Sequence, residues 1–329
     1  MPTRYRKKLL LVALGGNALL KRGQQGTISE QEHTAAETCG HLMCLVRQGF
    51  NLVITHGNGP QVGNILLKNE AAANMLPVMP LDVCVADSQG SIGYIIQQAM
   101  LNHLRAAGIR RYVVTMITQV VVDKNDPAFK KPTKPVGPFF DQRRATELML
   151  EKKWAMIEDS DRGFRRVVPS PKPLKVIQRY MIRDLAQAGH IVIAVGGGGI
   201  PIWKKENSEY EGIEAVVDKD AASAVLAREM ETDHFIILTE VPCVFLNYGK
   251  PDQTPVRQMT LTEARKYSEE KQFGVGSMAP KIEAAIDFVA ASSREALITS
   301  AESLASAMEN KEGTRIVPDA VQARKTELF

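Results

Sequence analysis

Short apolar runs alternate along the chain with longer amphipathic stretches, a spacing that predicts a mostly parallel sheet flanked by helices. The apolar runs give candidate strands at Leu9–Leu14, Leu52–Thr55, Tyr112–Val122, His190–Val195, Phe235–Leu238, Ala296–Thr299 and Arg315–Val317. Helical periodicity covers Ser29–Arg47, Gln61–Ala73, Ala86–Ala107, Val176–Ala188, Ala221–Glu231, Leu261–Glu269 and Met278–Ala291. Gly49, Gly108 and Gly189 each follow a helical stretch and precede a strand, where a glycine closes a helix in the left-handed conformation.

One stretch breaks the alternation. Residues 123–173 are rich in Lys, Arg and Pro, including Lys131-Pro132-Thr133-Lys134-Pro135 and Val168-Pro169-Ser170-Pro171-Lys172-Pro173. A structureless loop of that length inside a compact domain is unusual, and Gln142–Lys153 carries its own helical pattern. The segment therefore reads as an inserted subdomain that leaves and rejoins the core as a lid or protrusion. Its basic patch is not expected to pack readily into the main core.

Composition adds constraints rather than a function. The chain has 329 residues, 44% hydrophobic and 24% charged, which suits a folded protein with a sizeable core. The formal net charge is only +4, and the basic residues are scattered apart from Arg4, Arg6, Lys7 and Lys8. That distribution argues against a nucleic-acid partner. Leu9–Leu14 is too short for a signal-peptide core, and no run approaches the roughly 20 apolar residues needed to span a bilayer, so no membrane partner is expected. Cys39, Cys44, Cys84 and Cys243 form no C-x-x-C pair and match no zinc spacing; they read as reduced thiols in the cytosol.

Three glycine-rich turns follow candidate strands: Gly15-Gly16-Asn17, His56-Gly57-Asn58-Gly59-Pro60 and Gly196-Gly197-Gly198-Gly199. At the carboxyl ends of parallel strands such turns bring backbone N–H groups close to an anion, and a following helix N-terminus adds partial positive charge. There is no G-x-x-x-x-G-K-[ST] motif, and the third turn fails the dinucleotide spacing because Ile200-Pro201-Ile202 follows directly. Lys219, in Val217-Asp218-Lys219-Asp220, and Lys281, in Gly276-Ser277-Met278-Ala279-Pro280-Lys281, both sit at the starts of helical stretches. Phosphoryl transfer needs positive charge held against phosphate oxygens, so lysines beside anion-binding turns point to a small-molecule kinase using ATP. Asp220 is placed to hold two lysines, with a plain helix cap as its competing role. His56 is available for acid–base work, but its place beside a glycine turn favours a structural hydrogen bond.

The chain resembles the carbamate kinases of the amino-acid kinase family. The resemblance rests on Ala13-Leu14-Gly15-Gly16-Asn17-Ala18, Thr55 to Gly63, Lys131 to Phe139, Arg165 to Pro173, Val195 to Pro201, Val217 to Asp220 and Gly276 to Lys281, and it runs in order from about Leu9 to Pro318. It implies a three-layer α/β/α sandwich with a central, mainly parallel eight-stranded sheet and a small protruding subdomain, assembled as a homodimer. An N-terminal lobe, 1–200, would bind carbamate or carbamoyl phosphate and carry the insertion 123–173; a C-terminal lobe, 201–329, would bind ATP or ADP with Mg2+.

By position, the resemblance implies that Gly15, Gly16, Asn17, Gly57, Asn58 and Gly59 cradle the substrate. Lys134 would reach over it from the subdomain, Lys219 and Lys281 would hold the phosphoryl group, and Asp220 would orient those lysines. Gly197, Gly198, Tyr248 and Met278 would serve the nucleotide, with core packing the competing role for the last two. Ala86-Asp87-Ser88-Gln89-Gly90 and Thr239-Glu240-Val241-Pro242-Cys243 depart from the usual pattern. A different amino-acid kinase substrate, or a non-catalytic sensor of the same fold, are the alternatives.

Overall fold

Strand β1 (Leu9–Leu14) is apolar at every position, and both of its faces are buried. The computed structural model, which describes residues 7–21, 23–158, 163–274 and 276–319, places it inside an eight-stranded sheet. The other strands are β2 (Asn51–His56), β3 (Val113–Thr115), β4 (Ile191–Ile193), β5 (His234–Thr239), β6 (Gln258–Thr260), β7 (Ala296–Ser300) and β8 (Thr314–Val317). Their order is β6-β8-β7-β5-β1-β2-β4-β3, and only the β7–β8 pair is antiparallel. β1 is paired in parallel with β2 on one edge and β5 on the other. Chain order reverses across β1, and the crevice at the carboxyl ends of β1, β2 and β5 is where such a sheet binds ligands.

Nine described helices connect and cover the sheet: α1 (Ile28–Arg47), α2 (Gly59–Ala72), α3 (Leu81–Ala106), α4 (Gln142–Lys152), α5 (Arg179–Gln187), α6 (Lys219–Glu229), α7 (Leu261–Glu269), α8 (Ala279–Ser292) and α9 (Leu304–Met308). The period of two in β1 divides the core. Leu10, Val12 and Leu14 join Leu42 of α1, Ile96 and Met100 of α3 and Leu304 of α9. Leu9, Leu11 and Ala13 join Ile182 of α5, Leu226 of α6 and Phe288 of α8. The result is the expected three-layer α/β/α sandwich. Gly49, Gly108 and Gly189 have φ of +85°, +66° and +97°, the left-handed closures read from sequence.

Two elements differ from expectation. Tyr112–Val122 is not one strand: β3 ends at Thr115, and Gln119–Val121 enters a separate four-stranded sheet with Lys175–Val176, Ile200–Lys204 and Tyr210–Gly212. The break is fixed by the buried Gln89 side chain, whose amide accepts from Thr118 N–H at 2.8 Å and donates to Thr118 C=O at 3.1 Å. Val176–Ala188 is likewise a strand end followed by α5, because Val176 pairs with Val120 and the Gln178 side chain accepts from Gln119 N–H. β6 escaped the sequence reading because it is three residues long with one exposed.

The insertion folds as an antiparallel sheet of Lys134–Phe140, Ala155–Glu158 and Phe164–Val168 beside α4. It packs against the body more than its composition suggested. Val136 and Val168 are buried with Val62 and Leu66 of α2 and with Val85 of α3. Gly63 and Gly137 make the closest approach, where a Cβ on Gly63 would lie 2.4 Å from Gly137 Cα. All four cysteines are free thiols, and burial pushes Cys39 up to about 12. No described helix is long and apolar enough to cross a membrane. Arg4 and Arg6 of the basic cluster lie outside the described residues.

Candidate active site

The start of α6 organises the site. Its N-cap is Asp218, whose Oδ1 accepts from Asp220 N–H at 2.9 Å and Ala221 N–H at 3.3 Å. The other carboxylate oxygen accepts from Lys134 Nζ at 2.7 Å, which ties the subdomain to the helix. Asp220, two residues on, is therefore not the cap. Its Oδ2 accepts from Lys219 Nζ at 3.2 Å and from Lys281 Nζ, at the start of α8, at 2.9 Å. The four residues expected to carry catalysis are thus in one cluster, joined through Asp218, which the sequence reading did not single out.

Three ammonium groups share two carboxylates here, a surplus of one positive charge at the N-termini of two helices. Burial alone would raise the Asp218 carboxyl, but Lys134 and Lys219 hold it well below the usual range. Burial likewise disfavours the Lys219 ammonium, and Asp220 and Asp218 more than offset it, leaving this lysine raised. Lys281 is the opposite case: burial and then repulsion from Lys219 lower it, with Asp220 offsetting only part. Lys281 is the cation still short of counter-charge, and an incoming anion supplies what it lacks.

The glycine turns surround this cluster. Gly15 and Gly16 line a cleft of about 950 Å3 together with Lys219, Lys281, Thr239, Tyr248 and Met278. A Cβ on Gly57 would meet Lys219 Cδ at 3.0 Å, so glycine there leaves the lysine its course. Gly59 opens α2, and the Asn17 side chain lies outside what the structure describes. Tyr248 is 66% exposed, which rules out core packing for it; Met278 is half-buried in the cleft wall.

Asn58 is buried rather than presented, and its Nδ2 donates to Ser88 Oγ at 2.8 Å. Gly197 packs on the Asn58 amide and Gly198 on the Val217 carbonyl; neither lines the cleft with Tyr248 and Met278. Val195, Gly197, Gly198 and Gly199 all have positive φ, and Gln89 Nε2 donates to Gly196 C=O at 3.0 Å. Ser88 and Gln89, in a segment that departs from the usual pattern, thus hold two of the three turns together. No local signal marks them, since their partners lie 29 to 107 residues away.

His56 is fully buried against Gly196, and its Nδ1–H donates to Gly57 C=O at 2.9 Å. Burial lowers its pKa to about 4, with the Gly57 bond opposing, so the ring is neutral at pH 7. Its geometry is that of a structural wedge. Among the described residues, no three His, Cys, Asp or Glu side chains converge on a metal position. Asp220 Oδ1 is buried without a hydrogen-bond partner. That donor set fits a magnesium ion that arrives on phosphate oxygens rather than one caged by protein.

Two outcomes follow from these contacts. Because the unfolded His56 titrates near 6.5 and the folded one near 4, its contribution is complete above pH 6.5. It is lost as pH falls from 6.5 to 4, by up to about 3 kcal/mol. Melting curves across that range should show the loss, and a folded His56→Asn variant should show a shallower slope. Asp218→Asn retains a capping oxygen but not the charge facing Lys134, whereas Asp218→Ala loses both. Both variants should speed hydrogen exchange across residues 134–168, and only Ala should also cost the cap, about 1 kcal/mol. Exchange in the Asn variant equal to that of the parent would reject the clamp.

The chain resembles known proteins over most of its length. The amino acid kinase family model matches residues 8–300. The carbamate kinase of Thermococcus kodakarensis is 48% identical over 313 residues, spanning 94% of this chain and 99% of its own length. That of Trichomonas vaginalis is 45% identical over 312 residues, with the same shares covered. The solved carbamate kinase from Giardia lamblia bound to AMP-PNP superposes with a TM-score of 0.89 at 41% identity, covering 95% of this chain and 99% of that one. With a family model running from the first strand into the seventh, and relatives near half-identical over 94% of its length, the chain belongs to the amino acid kinase family, among its carbamate kinases.

Proposed function

We propose that the chain catalyses the reversible reaction of ATP with carbamate to give ADP and carbamoyl phosphate. A carbamate oxygen forms the new bond to the γ-phosphorus as the bond to the β-phosphate oxygen breaks, in line and without a protein nucleophile. The observation that carries the reading is the Asp220 carboxylate oxygen shared by Lys219 and Lys281. It fixes two ammonium groups where charge moves between the phosphates, and a dry, preorganised cation is worth most there. Asp220, whose Oδ1 has no hydrogen-bond partner, would face a magnesium ion brought in by the nucleotide, and the ion would supply further neutralisation of phosphate charge.

Gly15, Gly16, Gly57 and Gly59 supply close backbone approach to the carbamate side, in the 1–200 lobe, with Asn17 and Asn58 beside them. Asn58 acts by holding the turn shape through Ser88. Lys134 closes the phosphoryl site from the subdomain, anchored on Asp218. Tyr248 and Met278, in the 201–329 lobe, wall the adenine end of this cleft, and a relative solved with AMP-PNP supports nucleotide binding by this chain. Gly197 and Gly198 serve through tight packing that brings the Asn58 turn and the α6 start together. The four free thiols support a cytosolic location. A homodimer is supported by exposed apolar residues concentrated from the end of α2 into α3: Leu67, Met75, Leu76, Val78, Val83 and Tyr94.

The deciding assay supplies carbamoyl phosphate and ADP with magnesium and follows ATP. Its formation is expected, and its absence in folded protein would overturn the reading in favour of another family substrate or a sensor. Lys281→Ala should lower turnover by about 10²–10³ with little change in melting, because Asp220 keeps Lys219 as its partner. Light scattering should give twice the single-chain mass; a value near 36.2 kDa would reject the dimer.

A further inference from the structure

A second cavity lies where the subdomain docks on α2. Its volume is about 230 Å3, and its walls are largely apolar, with Leu66 and Leu67 from α2 and Val136, Phe140, Leu148 and Trp154 from the subdomain. It shares no lining residue with the larger cleft. The gap has a mechanical cause. Subdomain and α2 meet at Gly63–Gly137, and they are tied again by Glu70 and Lys152 at 3.3 Å. Those two positions on α2 are about 10 Å apart along the helix, and the surfaces do not close between them.

The Arg166 cation at this cavity touches no carboxylate directly: burial disfavours its charge, and Glu214 and then Glu70 attract it only at longer range. The Arg166 guanidinium is half-buried over the Trp154 ring, 4.3 Å from its centroid. It makes no ion pair or side-chain hydrogen bond with any described residue. The neighbouring Glu70 is engaged by Lys152, and Arg144 at the same cavity is engaged by Glu147 at 2.9 Å. A desolvated guanidinium against an aromatic wall suits a planar carboxylate carried on an apolar body.

We propose that this cavity is a binding site for a small monocarboxylate with an aromatic or branched apolar body, its carboxylate paired with Arg166 and its body seated between α2 and the subdomain. The site is separate from the reaction centre, and the inference stands or falls independently of the reaction assigned above.

The chain has two tryptophans, Trp154 and Trp203, so a Trp203→Phe protein reports on the cavity through Trp154 alone. Phenylacetate should change its emission saturably, with ADP present to occupy the larger cleft. Phenylacetamide, which lacks the charge, and Arg166→Gln should each weaken binding about tenfold or more, as expected for a lost charged hydrogen bond. Ala71→Phe places a ring in the cavity from an exposed helix position and should abolish the change. Absence of a saturable change overturns the proposal. So does binding that is indifferent to the charge of the probe, or that survives Ala71→Phe in folded protein.

Discussion

Holding more positive than negative charge in a largely dry place is the constraint around which this protein is arranged. Ammonium groups repel, and burial penalises each of them, so the cluster persists only where carboxylates and hydrogen bonds are supplied at close range. Asp218 and Asp220 provide both from the N-cap and first turn of one helix, and they draw in lysines from three separate parts of the chain. Much of the surrounding detail serves that arrangement. Gly57 leaves room for the stem of Lys219, and the four-glycine turn brings Val217 and Asn58 within reach of each other. The sheet supplies what the helices cannot, a row of strand ends at one level with space above them.

The subdomain is tied to this site through Lys134 and Asp218. Its contact with the body combines a small apolar cluster, a glycine-to-glycine approach and two ion pairs, Lys134–Asp218 and Lys152–Glu70. The glycines also explain why the segment resisted prediction from composition. Its Pro-rich flanks and lysines signalled separation from the core, whereas docking depends on two residues that lack side chains.

What the sequence disclosed followed the range of the interactions. β1, α7 and the helix-closing glycines were legible because apolar period and local backbone preference decide them. Lys134, Lys219, Asp220 and Lys281 were legible as a set through the family pattern, and the structure brings them together around Asp218 and Asp220. Asp218 itself was hidden by its ordinary capping position, since nothing local shows that its second oxygen faces a lysine 84 residues earlier. Gln89 and Ser88 were hidden for a similar reason: each sits inside a helical pattern, and its importance lies in backbone groups it meets across the fold. The break in Tyr112–Val122 is the same effect seen from the strand side, where an apolar run is divided by a distant amide.

The parallel pairing of β1 with β5 has a consequence for how the protein is made. β1 is synthesised before β5, so Leu9 N–H awaits the carboxylate of Asp233, 224 residues later, and the β5 backbone that follows it. At cellular elongation rates that delay is on the order of ten to forty seconds. Throughout it a wholly apolar strand has at most one of its edges covered by β2. A nascent chain of this design therefore presents a long-lived β edge, the feature that invites pairing with other chains. Until β5 has been made, the β5-facing edge of β1 is open to pairing with other chains, and the finished sheet closes it.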